Sequence, residues 1–105
     1  MAVTLTNNAA SLIPSAVGST DTSITVTTGE GVKFPILGFG DFFFLTILDT
    51  NNNFEIVKVT ARTDDIMTIE RAQEGTTATP FPANSRAELR VTAGNFATQQ
   101  DALLL

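Results

Sequence analysis

The sequence predicts an all-β protein, a small antiparallel β-sandwich or barrel of six to seven short strands. Apolar letters alternate with polar ones, the period of half-buried strands, and they do not recur at three and four as helices require. The apolar runs are short and are separated by Gly, Pro and Asn clusters that turn the chain. With 105 residues the chain is expected to form a single domain over 1–105. A domain of that size buries only roughly 60 to 70% of the surface of its unfolded form, so the core is thin.

AVTLT at 2–6 and SLIPSAV at 11–17 are the least regular strand candidates. In SITVTT, Ile24 and Val26 face one way while Ser23, Thr25 and Thr27 face the other. GEGVKFPILGFGD at 29–41 carries four Gly and a Pro among apolar residues, which marks a compact connection. DFFFLTIL is apolar on both faces, with Phe43, Leu45 and Ile47 on one and Phe42, Phe44 and Leu48 on the other. Such a strand must be covered twice, inside a sandwich or against a neighbouring subunit.

FEIVKVTA follows the turn Thr50-Asn51-Asn52-Asn53, and DIMTIER follows Thr63-Asp64, so positions 42–71 read as a three-stranded meander. TTATPFPANS is a second long loop, in which Phe81 between two prolines plugs the end of the barrel or sandwich. RAELRVT repeats the alternation, with Ala87, Leu89 and Val91 inward and Arg86, Glu88, Arg90 and Thr92 outward. The tail GNFATQQDALLL reads as a short C-terminal helix starting at Asn95, and Leu103, Leu104 and Leu105 form an apolar end that calls for a partner.

Composition excludes several functions. The chain has no Cys and no His, which removes disulfides, thiolate nucleophiles, zinc–sulfur sites and Ser-His or Cys-His catalysis. Six Lys and Arg against eleven Asp and Glu give a formal charge of −5, which argues against direct nucleic-acid binding. No run reaches the roughly 18 apolar residues of a membrane span, and the amino terminus has no basic start followed by an apolar block. The chain is expected to be soluble and unprocessed.

Among candidate sites, Asp49, Asn51, Asn53 and Glu55 alternate like the first half of a calcium loop, but Phe54 and Thr60 stand where that loop needs Gly and Glu. A hairpin turn is the expectation. Asp64 and Asp65 read as solvated turn residues, and Glu70, Arg71 and Glu74 as a strand-end Arg with a neighbouring carboxylate of modest energy. Gly75 in EGTTA is placed where the backbone needs a positive φ, making RAQEGTTA a strand end that becomes a loop. A carboxylate-only hydrolase using Asp64, Asp65 or Glu74 is the minor alternative. Otherwise no catalytic residue, metal ligand or cofactor is expected.

The run EIVKVTARTDDIMTIERAQEGTTATPFPANSRAELRVTAG, Glu55 to Gly94, resembles a small β-module of tailed-bacteriophage virion proteins, and SITVTTGEGVKFP and DFFFLTILD match its earlier strands. The pairing of EIVKVT with RAQEGTTA is the most specific part. The resemblance implies a non-enzymatic structural protein of the virion, assembled in the host cytoplasm. It implies either a capsid decoration (cement) protein contacting the major capsid protein, or a tail-fibre or tail adaptor protein. Family analogy implies a homotrimer, with positions 1–14 as an N-terminal arm and 95–105 as a docking segment. The expected interface residues are Phe42, Phe44, Phe81, Phe96, Leu103, Leu104 and Leu105.

Overall fold

The computed structural model describes residues 9–90. Six strands form one antiparallel sheet: β1 (Ala10–Ile13), β2 (Ser23–Thr25), β3 (Phe43–Leu48), β4 (Phe54–Thr63), β5 (Ile66–Gln73) and β6 (Ser85–Glu88), in the order β1-β6-β3-β4-β5-β2. The other regular element among the described residues is a 3-10 turn over Gly31–Lys33 inside the 29–41 connection. The fold class is therefore the expected all-β one, realised as a curled half-barrel sheet.

The β3-β4-β5 meander lies where the alternation and the Asn and Asp turns place it. Leu48 faces Phe54 across the first hairpin, and Ile66 faces Thr63 across the second. Asn52 and Asp64 hold positive φ at the two turns, a backbone region that Asn and Asp tolerate better than other side chains. The β4–β5 register shifts between Ile56 and Lys58 and again between Val59 and Ala61. Each irregularity bends the strand and raises its twist, which supplies the curl.

The curl brings the two edges of the sheet together. Beyond β2, the Thr27 N–H donates to the Leu12 carbonyl of β1 at 3.0 Å, and the Ser11 hydroxyl donates to Glu30 at 2.6 Å. At the other end of the sheet Val17 and Phe81 exchange both backbone hydrogen bonds at 2.8 Å each. The concave side holds one core containing Ile13, Ile24, Val26, Phe34, Phe43, Leu45, Ile47, Val57, Val59, Met67, Ile69, Phe81 and Ala87. Each large side chain buried there contributes about 1.5 to 3 kcal/mol. Phe34 reaches in from the 29–41 connection and stacks on Phe43 with ring centroids 6.1 Å apart.

The convex face of β3 is covered less completely. Phe42, Phe44 and Leu48 are half-buried, with Thr46 fully buried among them. Phe42 and Phe44 meet edge to face at 5.6 Å, and the Lys58 ammonium sits 4.5 Å above the Phe42 ring. Residues 10–13 of the expected 1–14 arm are strand β1, paired with β6 from Ala10↔Glu88 to Ile13↔Ser85, so that part of the arm is built into the sheet. Ala9 and Ile13 add buried apolar surface to the core there. The AVTLT strand candidate, the inward Val91, the helix from Asn95, Phe96 and Leu103 to Leu105 lie outside the described residues.

Candidate functional site

The most polar sequence motif, RAQEGTTA, surrounds a buried ion pair. Arg71, near the end of β5, donates Nε and Nη2 to the two carboxylate oxygens of Glu55 on β4, both at 2.8 Å. The Glu55 side chain is fully buried and that of Arg71 is 9% exposed. The partner of Arg71 is therefore sixteen residues away, and it is neither Glu70 nor Glu74. A desolvated, two-pronged pair also differs in kind from the modest surface pair expected from sequence.

The rest of both side chains organises backbone. Glu55 accepts from the N–H groups of Ala72 and Thr79, each at 2.8 Å. Arg71 donates to the carbonyls of Gly18 at 2.6 Å, Asp21 at 3.0 Å and Thr79 at 2.7 Å. One pair thus ties β4, β5, the 18–21 turn and the 76–80 loop together. Ala72, Glu74 and Gly75 all take positive φ as the chain leaves β5, so RAQEGTTA is the expected strand end turning into a loop. Thr76 then closes that turn by donating its hydroxyl to the Gln73 carbonyl at 2.7 Å.

The calcium-like spacing is a hairpin turn. Asp49 accepts from the Asn51 N–H, the Asn53 N–H and the Asn53 side-chain amide, while Glu55 turns into the core. Among the described residues no group of three acidic side chains is placed to hold a metal ion. Asp64 is the exposed turn residue expected. Asp65 departs from expectation, because its carboxylate accepts from the N–H groups of Gly29 at 3.0 Å and Gly31 at 2.8 Å and latches the 29–41 connection to the β4–β5 turn.

That connection is fixed at several points yet carries exposed apolar side chains. Phe34 is in the core, the Pro35 carbonyl accepts from Arg62 Nε at 3.1 Å, and Gly38 and Asp41 close a turn through both backbone and carboxylate. Val32 is nonetheless 78% exposed, Ile36 85%, and Phe39 is fully in solvent. Beside Phe39 an open groove of about 580 Å³ runs between the 37–42 segment and the end of β4. Of the expected interface residues, Phe42 lines this groove, Phe44 lies next to it on the convex face, and Phe81 belongs to the chain's own core at 2% exposure. No sequence signal singled out Val32, Ile36 or Phe39, because isolated apolar letters in a Gly-rich loop look the same whether they point in or out.

The carboxylates share one electrostatic pattern. Burial pushes the Glu55 carboxyl up, but the Arg71 hydrogen bonds, with those from Ala72 and Thr79, outweigh it and hold the group below its ordinary 4.5. Asp65 is held below 3.8 by the Gly29 and Gly31 N–H groups, Asp49 by the Asn53 side chain and then the turn N–H groups, and Glu30 below 4.5 by Ser11 and then Lys33. In each case the unfolded chain binds its proton at a higher pH than the folded one. The stabilisation is fully present above about pH 4.5 and is lost as pH falls through the depressed folded values. A melting temperature that is flat from neutral pH to about 5 and declines steadily below about 4.5 is the expected result of a calorimetric pH series. A constant or rising value across the acid range would contradict these assignments.

No protein-family model matches the chain, and no curated protein shows significant similarity to it. Among the described residues no helix is long and apolar enough to cross a membrane.

Proposed function

We propose that this chain is a non-enzymatic structural protein of a tailed-phage virion, a decoration (cement) protein that stabilises the head by contacts with capsid subunits and works as a homotrimer. The observation that carries the reading is the Glu55–Arg71 pair. The two halves of the phage-like signature, EIVKVT and RAQEGTTA, are joined by that pair, and every oxygen and nitrogen it presents is engaged within the chain. The signature therefore acts as a fold determinant, which suits a module defined by architecture and assembly. The half-covered convex face, with Phe42 and Phe44, and the apolar loop supply surface for subunit contacts. Small domains with thin cores gain stability from such contacts.

A tail adaptor is the second reading, favoured by one observation: Val32, Ile36 and Phe39 project from a pinned loop, the form of a grip on a single partner. Copy number separates the two. Quantitative mass spectrometry of purified particles is expected to find this chain at a ratio near that of the major capsid protein. A few copies per particle would move it to the tail, and absence from particles would end the virion reading.

A further inference from the structure

We propose that the half-barrel is a clasped shell, in which the seam between β1 and the 27–30 turn opens reversibly while the rest of the sheet stays folded, and that Glu30 is the clasp. Neighbouring strands elsewhere meet in hydrogen-bonded ladders, but β1 and β2 lie at the two ends of the strand order with no ladder between them. Among the described residues one backbone hydrogen bond crosses the seam, from the Thr27 N–H to the Leu12 carbonyl at 3.0 Å, and the Thr27 hydroxyl reaches the same oxygen at 3.3 Å. The remaining links are made by side chains. Ser11 donates to one Glu30 oxygen at 2.6 Å, while Lys33 holds the other at 2.9 Å and touches the Ala10 carbonyl at 3.5 Å. Beside these links an open depression of about 340 Å³ runs between β1 and the turn.

The two sides of the seam are mounted on opposite halves of the sheet. On one side β1 is laddered to β6, and the Asn84 N–H donates to the Ile13 carbonyl at 2.8 Å. On the other, the turn is fastened to the β4–β5 turn: Val26 donates to the Asp65 carbonyl, and Gly29 and Gly31 to its carboxylate. Parting therefore breaks none of these bonds. The far end of the seam is fixed, because Val17 and Phe81 exchange two backbone bonds there and Arg71 holds the Gly18 and Asp21 carbonyls. That end acts as the hinge.

Segments joined by few backbone bonds open with less free energy than the laddered core. The Lys33–Glu30 pair is solvent-exposed on both sides, and such pairs contribute little. The short bond from Ser11, a residue only 7% exposed, to a carboxylate is the stronger link, since charge-assisted hydrogen bonds exceed neutral ones. Opening frees the Thr27 N–H and the Leu12 carbonyl, two groups that face each other across the seam in the closed form. The clasp thus decides whether the shell presents a closed side or two strand edges, and this inference does not rest on the virion reading.

The test is native-state hydrogen exchange of the full chain, amide by amide, in low and rising concentrations of urea. The Thr27 amide is expected to be at least about tenfold less protected than those of Val17, Ile69 and Asn84, and its exchange to accelerate with urea, as an opening that exposes surface requires. Glu30→Ala should lower Thr27 protection by about a further tenfold while leaving Val17, Ile69 and Asn84 within about twofold. Arg86→Ala, which alters the wall of the same depression without removing a described bond across the seam, should leave Thr27 unchanged. Thr27 exchanging only with Ile69 would mean that the seam parts only in global unfolding, and would overturn the proposal. Fast exchange that ignores urea would reduce it to a frayed amide, and loss of Asn84 protection together with Thr27 would show β1 peeling away whole; either result overturns it. An unchanged Thr27 in Glu30→Ala would remove Glu30 as the clasp.

Discussion

Arg71→Ala is expected to lower the unfolding free energy by about 3 to 5 kcal/mol, a large share of the roughly 5 to 15 kcal/mol typical of a domain this size. The substitution leaves the Glu55 carboxylate buried without its cation, and it also removes the donors that serve Gly18, Asp21 and Thr79. Urea titration of the two proteins measures the difference directly. Arg71→Lys keeps the charge but not the fork, so it recovers only part of the loss. The double substitution Glu55→Leu with Arg71→Met gives the sharper test. Buried ion pairs can often be exchanged for apolar side chains at little cost. Here the exchange strips partners from three carbonyls and two N–H groups, and the double variant is expected to stay at least about 2 kcal/mol below the wild type. Wild-type stability in that variant would show that the pair does not organise the loops.

Gly31→Ala is expected to cost about 3 kcal/mol, the upper part of the range for overpacking. A Cβ at Gly31 would overlap the Asp64 carbonyl oxygen and come within 2.9 Å of the Asp65 Cα, and these are backbone atoms that no rotamer change can move aside. The latch between the 29–41 connection and the β4–β5 turn would have to open, breaking the Asp65 hydrogen bonds to Gly29 and Gly31. Gly75 provides the contrast. A Cβ there meets open space, and alanine pays only for the φ of 82°, about 1 to 2 kcal/mol. Thermal melts of the two alanine variants should therefore rank Gly31 well below Gly75, and the reverse order would refute the close-approach argument.

Strand positions were legible because local rules decide them. The alternation in SITVTT and RAELRVT, the two-sided apolar run of DFFFLTIL, and Asn or Asp at the turns each act within a few residues. The Glu55–Arg71 hub was not read from the sequence, and one signal for it was present. Glu55 shares its inward face with Val57 and Val59, and a charge on the buried phase of a strand demands a counter-charge. The calcium-like spacing of Asp49, Asn51 and Asn53 drew Glu55 into the turn instead. The Asp65 latch left no comparable trace, since its partners are backbone N–H groups 34 and 36 residues earlier, and backbone carries no letter. Nor could the edge closure be read, because Thr27 meets Leu12 only after two strand irregularities have bent the sheet.

The strand order has a consequence for synthesis. The meander β3-β4-β5 joins neighbours in the chain and can pair as soon as it leaves the ribosome. Among the described strands, β1 has β6 as its ladder partner, placing Ser11 opposite Ala87. The first of the six described strands must therefore wait for the last, and long-range pairings of this kind form slowly. Until then the growing chain carries the apolar residues of β1 without their cover, and a nascent chain arrested before residue 85 has a meander but no closed edge.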